Sequence, residues 1–308
     1  MASLQSWDEI TASTLRSNKT LREELGDVIN NVAPAETPIL SSIKMAKVTS
    51  RYPQWLVDTY RAAADNAYIE DLPFTDHSKT VPTRAANIVQ TVYRGGRITD
   101  VERYVEHAGM DDPLGYYEVK DIVEIKKDIE LLLVKGSAIT GTTDTACQAN
   151  GLLNAISTNN TELSGATLTE TIFNNILQLT WGNTARMPYQ VYCNPKVKRT
   201  ISGFTTNVTR NIDASERRQI NTVSFYDSDF VDGMEIRMHR DLTDGDDTGQ
   251  MVMIDPTYLA SGWLNPLKSE MLARDGLRDR YQLSGHLTLL FNNEKAFAAA
   301  TQIQYNVA

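Results

Sequence analysis

Side chains able to do chemistry are present in this sequence, but their spacing suits none of the sites they build elsewhere. His77, His107, His239 and His286 are dispersed, and none stands four residues from another, the separation at which one helix face offers two imidazoles to zinc. Each therefore reads as a surface or interface residue. Cys147 and Cys193 have no further cysteines at metal-ligand spacing, which signals neither a zinc site nor a disulfide framework and fits reduced thiols in a bacterial-type cytoplasm. Asp241, Asp244, Asp246 and Asp247 in "DLTDGDDTG" are hard oxygen donors, yet the run lacks the spacing and closing glutamate of a calcium loop and reads as a solvated hairpin tip. Asp227 and Asp229 in "FYDSDF" would share one face of a strand, a pairing that more commonly ends a sheet than moves protons. "YRGGRI" lacks the lysine-serine ending and the following helix of a phosphate loop, and a tight bend at the base of a ribbon is the expectation there. No Gly-x-Ser-x-Gly elbow occurs. Arg210, Arg217 and Arg218 are interrupted by acids in "RNIDASERRQI", which suits a salt-bridged interface better than a phosphate track. The expectation is a chain with no catalytic residue, metal or cofactor. A cytoplasmic hydrolase using Asp227, Asp229 or the aspartates from Asp241 to Asp247 with a divalent ion is the alternative from the enzyme class.

Composition narrows the class further. With 308 residues, 41% hydrophobic and 22% charged, the chain can bury one large core or two modest ones. Its net charge of -9, from 39 acidic against 30 basic residues with no long run of either sign, argues against a broad surface for wrapping nucleic acid and leaves room for a local basic face. The start "MASLQSWDEITASTLRSNKT" has no positive stretch followed by an apolar one, and no apolar run approaches the roughly 18 residues that cross a bilayer. Secretion and membrane insertion are both disfavoured. Asn18, Asn159 and Asn207 fit the glycosylation pattern, which has no consequence without a secretory route.

The elements that must hold these residues are read from period and caps. Ser6 with Glu9 and Thr20 with Glu23 form capping boxes, the second ahead of Leu21, Leu25, Val28, Ile29 and Val32 at helical spacing. Thr37 followed by Pro38 starts another short turn of helix, so the first fifty residues read as an arm of short helices. Arg51 to Tyr60 and Asn87 to Arg94 read as the two strands of an antiparallel ribbon. Between them Ala62 to Ala85 keeps neither the strand nor the helix period and is far longer than a hairpin turn of about two to five residues. With Tyr60, Tyr68, Leu72 and Phe74 as its main apolar groups it has too little to fold on itself, so its shape is expected to come from another chain.

Asp112 and Pro113 open the strongest helix in the sequence, Gly136 closes it, and Val119, Ile122, Val123, Ile129, Leu132 and Leu133 recur between them at three- and four-residue spacing. Lys120 with Glu124 and Lys126 with Glu130 are placed on its solvated side, each pair worth about 0.2–0.5 kcal/mol. Thr167 and Glu170 form a capping box ahead of Ile172, Phe173, Ile176 and Leu177. "PYQVYCNPKVKRTISGF" reads as a strand stopping at Asn194, which caps a helix begun by Pro195 and faced by Val197, Ile201 and Phe204. "MEIRMHRDLTDGDDTGQMVMI" reads as a β-hairpin turning at Asp244-Gly245, and the remainder is mostly strand, ending in the apolar stretch Ala296 to Ala300.

This order of arm, ribbon, long helix, mixed α/β segment and returning strands resembles the major capsid proteins of tailed bacteriophages with the Hong Kong 97-type fold. The chain is similar to one branch of that family in "NVAPAETPILSSI", "YPQWLVDTY", "EHAGMDDPLGYYEVKDIVEIKKDIELLLVKGS", "WGNTARMPYQVYCNPKVKRTISGF", "FYDSDF" and "FNNEKAF", which follow one another along nearly its whole length. The resemblance implies an α+β architecture with an N-terminal arm over 1–50, an extended loop over 51–97, a spine helix and the first part of a peripheral domain over 98–139, an axial domain over 140–255, and returning strands of the peripheral domain over 256–308. It implies a structural protein, not an enzyme, that self-assembles into hexamers and pentamers of an icosahedral head and encloses double-stranded DNA without reading its sequence.

In that assembly the extended loop would lie across a neighbouring copy, with Tyr60, Tyr68, Leu72 and Phe74 as apolar anchors. The arm would reach another neighbour through Trp7, Leu21 and Leu25. Asp244, Asp246 and Asp247 would meet their symmetry mates around the five- and six-fold axes. Some relatives carry a highly charged extension ahead of the arm as a built-in scaffold. This sequence begins directly with the arm, so a separate scaffolding protein is expected, beside a portal and decoration proteins. No motif matches the lysine and asparagine that some relatives join covalently, and non-covalent locking is the expectation. Assembly in the host cytoplasm and a final place in the virion follow. The same fold builds bacterial protein-storage compartments, which makes a shell filled with protein cargo the nearest alternative. A tail or decoration protein, whose ribbon would contact a different polypeptide, is a further one.

Overall fold

The computed structural model describes residues 35–305 apart from 72, 75, 78, 108, 185, 205–223 and 246. Its first helix, α1 (Pro38–Ser42), starts with proline at the first position, but Thr37 supplies no side-chain cap. The cap comes from far along the chain. Glu130 Oε1 accepts from Ile39 N at 2.7 Å and Oε2 accepts from Leu40 N at 2.8 Å, satisfying amides that a helix start leaves without partners.

β1 (Lys44–Lys47) is followed by β2 (Gln54–Val57) and β3 (Thr83–Ala86), which pair antiparallel with Gln54 opposite Ala86 and Val57 opposite Thr83. The ribbon's second strand is thus a correction, because it starts earlier than expected and, of Asn87 to Arg94, Asn87 and Val89 bond back to the first leg at Pro53 and Arg51. The rest of that stretch enters β4 (Gln90–Thr99), which pairs with Arg278–Phe291. Ile88, Val89 and Val92 are buried, and burying them requires a sheet with a core beneath it. The Thr-Arg-Ala-Ala of β3 has little to bury and can stand on a projecting ribbon. The glycines of "YRGGRI" lie inside β4, not at a bend: Gly96 pairs with Tyr281, and a Cβ there would fall 2.4 Å from that ring.

After α2 (Asp100–Tyr104) comes α3 (Pro113–Lys135), the long helix. Asp112 caps it by accepting from Leu114 N at 3.1 Å, and Gly136 N closes on Leu132 O at 2.9 Å, as the sequence predicts. Ile125, Ile129, Leu132 and Leu133 are buried, whereas Val119 near its start is exposed. Glu130 is a second correction, since it is 1% exposed and not on the solvated side.

α4 (Leu152–Ala155) and β5 (Asn160–Glu162) lead to α5 (Glu170–Asn183), whose cap is Thr169 accepting from Ile172 N at 3.3 Å. The expected cap, Thr167, instead bridges to Gln304. β6 (Gln190–Cys193) stops at Asn194, whose Oδ1 accepts from Lys196 N at 2.9 Å to cap α6 (Pro195–Ser202). Then come β7 (Phe225–Tyr226), β8 (Met234–Met238), β9 (Thr248–Ile254), β10 (Leu259–Leu272), β11 (Arg278–Phe291) and β12 (Ala298–Gln304).

β8 and β9 do not form the expected hairpin. β6 lies between them, parallel to β8 with Val191 opposite Ile236 and antiparallel to β9 with Val191 opposite Met253. Val191, Tyr192 and Cys193 are buried on both faces of the strand, and a strand of that kind takes the centre of a sheet.

Two sheets result. One has the order β1-β10-β11-β4 and packs against α3; the other has the order β5-β12-β9-β6-β8-β7 and packs against α5 and α6. β12 departs from the segment expected to return as a unit over 256–308, because it sits between β5 and β9 while β10 and β11 belong to the first sheet. Ala298, Ala299 and Ala300 are buried there, small enough for layers on either side to approach closely.

Candidate inter-subunit surface

The ribbon is rigid at its base and bare at its tip. At the base, Asn87 is buried and spends its whole amide on the junction: Oδ1 accepts from Ile88 N at 2.7 Å and Asn150 N at 2.9 Å, while Nδ2 donates to Asn150 O at 3.2 Å and Leu289 O at 2.6 Å. Backbone bonds from Asn87 N to Pro53 O and from Val89 N to Arg51 O clamp the two legs together. Trp55 sets its ring edge-on to Phe291 at 5.1 Å, joining the first leg to the core of the four-stranded sheet.

Beyond the paired strands every described residue from 58 to 82 is exposed. Tyr60 is fully exposed, Phe74 is at 94% and Tyr68 at 57%, with the Tyr68 ring 6.3 Å from that of His77. Leu72 lies outside the described residues. Hydrogen bonds within the tip join near neighbours, such as Thr59 N to Asp58 Oδ1 and Ala67 N to Asp65 Oδ1. Large rings are therefore held in water at the end of a braced lever, an arrangement that suits contact with a separate molecule.

A family model described as SU10 major capsid protein matches residues 9–304 of this chain. The chain belongs to the SU10 major capsid protein family. Solved capsids share its fold. The capsid of Cyanophage A-1(L) is similar with a TM-score of 0.66 at 13% identity, over 96% of this chain and 99% of that one. The capsid of the native GTA particle gives 0.66 at 9% identity, over 95% and 98%. The holo-SrpI encapsulin of Synechococcus elongatus PCC 7942 gives 0.56 at 10% identity, over 91% and 95%. No curated protein sequence matches the chain. The fold is the Hong Kong 97-type of tailed-phage capsids, and the family is one of structural capsid proteins of the virion.

In this SU10-family capsid protein Asp244 and Asp247 are the described residues among the other anticipated contacts. Asp244 and Asp247 are exposed on the turn that enters β9, where Gly245 takes a φ of 83° and Tyr305 N donates to Asp247 O at 3.2 Å. Asp246 lies outside the described residues, as do Trp7, Leu21 and Leu25 of the arm and Arg210, Arg217 and Arg218. Asp227 has a structural task, its Oδ1 accepting from Gly233 N at 2.7 Å. Among the described residues no group of three or more His, Cys, Asp or Glu is placed to hold a metal ion.

His239 corrects the reading of the histidines as surface residues, since it is buried on Glu130. Its Nδ1 accepts from Asp241 N at 3.1 Å, which puts the ring proton on Nε2, donated to Glu130 Oε1 at 2.8 Å. One carboxylate thereby ties α1, α3 and the end of β8. Sequence reasoning missed this hub and Asn87 for the same reason: their partners lie far away along the chain, 91 residues for Glu130 with Ile39 and 202 for Asn87 with Leu289.

Proposed function

We propose that this capsid protein assembles into hexamers and pentamers of a closed icosahedral head around double-stranded DNA, with the ribbon tip of each copy lying across the next. The observation that carries this reading is the exposed tip from 58 to 82, with Tyr60, Tyr68 and Phe74 in solvent on a base fixed by Asn87 and Trp55. A flexible polar lobe could be tolerated on a monomer, but a braced arm ending in aromatic rings has its use in an interface.

The segments at 98–139 with β10 and β11 act as the peripheral domain, and 140–255 with β12 as the axial domain. The turn bearing Asp244 and Asp247 faces its symmetry mates, where like charges must be spaced, solvated or bridged by a cation. A standard interface buries about 1,600 Å². A copy held by several such contacts is hard to remove, because all must break together. Locking is non-covalent. A separate scaffolding protein and a portal direct assembly in the host cytoplasm, decoration proteins bind outside, and the inner face touches DNA without reading its sequence.

A shell filled with protein is the second reading, favoured by the similarity to the encapsulin. Particles purified from expressing cells separate the two. The first reading expects large shells by electron microscopy which, when made with the packaging partners, protect DNA from nuclease. Shells that carry a defined protein and never protect DNA would favour the compartment, and a discrete small oligomer would overturn both.

A further inference from the structure

Beside the first helix lies a groove with apolar walls and a charged rim. β10 loses register with β11 between Trp263 and Lys268, and the irregular stretch leaves a space against α1, β1 and α3. Leu40, Met45, Ile129, Trp263, Pro266 and Leu267 make the walls apolar, Ile129 from the buried side of α3 and Met45, 75% exposed, from β1. The volume of about 600 Å³ falls within the range of about 300–1,000 Å³ in which proteins hold small molecules. Trp263 has its one polar atom satisfied, Nε1 donating to Ser261 Oγ at 3.2 Å, so its ring asks for apolar contact alone. Lys47 and Lys126 are the charged residues lining the groove. Both are exposed, and no described carboxylate forms an ion pair with either.

We infer that this groove binds a small single-chain amphipathic anion, a fatty carboxylate, with its chain against the apolar walls and its carboxylate at Lys47 and Lys126. Two characters have to be matched at once. A neutral apolar molecule would leave both ammonium groups without a partner, and a small hydrophilic anion such as phosphate would leave the walls in water. A cationic amphiphile would set like charges together. A long-chain carboxylate meets both characters, since burial of the chain supplies affinity and the headgroup fixes its direction. The walls come from α1 and β1 on one side and from α3 and β10 on the other, so an occupant also ties the start of the described chain to the four-stranded sheet. The groove is complete within one subunit, and its occupant needs no neighbouring copy.

Calorimetric titration of the full-length subunit with octanoate, decanoate and dodecanoate, each below its micelle-forming concentration, tests the site. Affinity is expected to rise about fourfold per methylene. Dodecanoate is expected to bind about tenfold tighter than dodecyltrimethylammonium, and Lys47→Glu with Lys126→Glu to reverse that preference. A dodecanoate brominated along its chain is expected to quench the fluorescence of Trp263, and Trp263→Phe to abolish the change while the unbrominated acid still binds. Equal affinity for the carboxylate and the ammonium, no gain with chain length, or quenching that survives in Trp263→Phe would overturn the site. Binding to phosphatidylglycerol vesicles with none to the free acid would equally overturn it, because a membrane surface and not the groove would then be the ligand's place. Where the double reversal prevents folding, Lys47→Met with Lys126→Met keeps the side-chain stems and is expected to remove the preference for the anion while keeping the dependence on chain length. Retention of that preference would deny the two lysines the headgroup and overturn the assignment.

Discussion

At the scale of single residues, Glu130 shows how a buried carboxylate is made tolerable. It accepts from two backbone amides of α1 and from His239 Nε2 at 1% exposure, so its charge is met by donors on both oxygens. Removing it takes the acceptor from two buried donors, Ile39 N and His239 Nε2, and from the part-buried Leu40 N. Glu130→Ala is therefore expected to cost about 3–5 kcal/mol, read from denaturant unfolding of the unassembled subunit. Glu130→Gln, which keeps the shape and one acceptor, should fall between. A loss within about 0.5 kcal/mol, the range of surface substitutions, would deny Glu130 that role.

The two cysteines separate by environment in the same way. Arg51 Nη2 donates to Cys147 Sγ at 2.8 Å and holds that thiol below its ordinary range, whereas burial pushes Cys193 up to about 12. The thiolate is the reacting form, so a lower pKa gives more of it at neutral pH. Iodoacetamide at neutral pH is expected to alkylate Cys147 and spare Cys193 in the folded subunit. Arg51→Ala should move the onset of Cys147 labelling to higher pH; equal labelling with and without Arg51 would refute the assignment.

At the scale of elements, β4 is fitted to the long helix through a ring passing over glycine. Tyr281 on β11 crosses Gly96, and its hydroxyl donates to Asp121 Oδ2 on α3 at 2.6 Å. Beside it, Arg94 on β4 pairs with Asp121 at 2.8 Å and with Glu124. The Tyr281 ring is buried and cannot swing aside without leaving Asp121, so Gly96→Ala is expected to cost about 1–3 kcal/mol through overpacking. Gly95→Ala is the control, because a Cβ there meets the exposed end of Tyr93, which is free to move. Melting temperatures of the two variants check the contrast, and equal losses would place the strain elsewhere.

At the scale of the whole molecule, the ribbon tip stands apart from both cores. Replacing residues 58–82 by a two-residue Asn-Gly turn between β2 and β3 is expected to leave the subunit's circular dichroism and melting temperature near their original values and to abolish particles in light scattering. Particles of unchanged size would show that the tip is dispensable for the shell. A subunit that no longer folds would show that the tip belongs to the core.

What the sequence determined by itself was mostly local. The caps at Asp112 and Asn194, the close at Gly136, Pro38 and Pro195 at first helical positions, and Ile129, Leu132 and Leu133 of the long helix's stripe rest on contacts within about four residues, and these elements stand where their caps place them. The bare tip was legible as well, since a polar stretch without a period has no means of folding alone. Strand partnership was not. Thr83–Ala86 carries the ribbon while most of Asn87–Arg94 goes to β11, β6 enters between β8 and β9, and β12 crosses to the second sheet, because pairing depends on which strands must be buried on both faces and which can stay wet. The same holds for Glu130, where Lys126 four residues away suggested a solvated pair while helix α1 and His239 arrived from elsewhere to bury it. Charge and period are properties of a segment, but whether a side chain meets water or another part of the chain is decided by the packing of the whole.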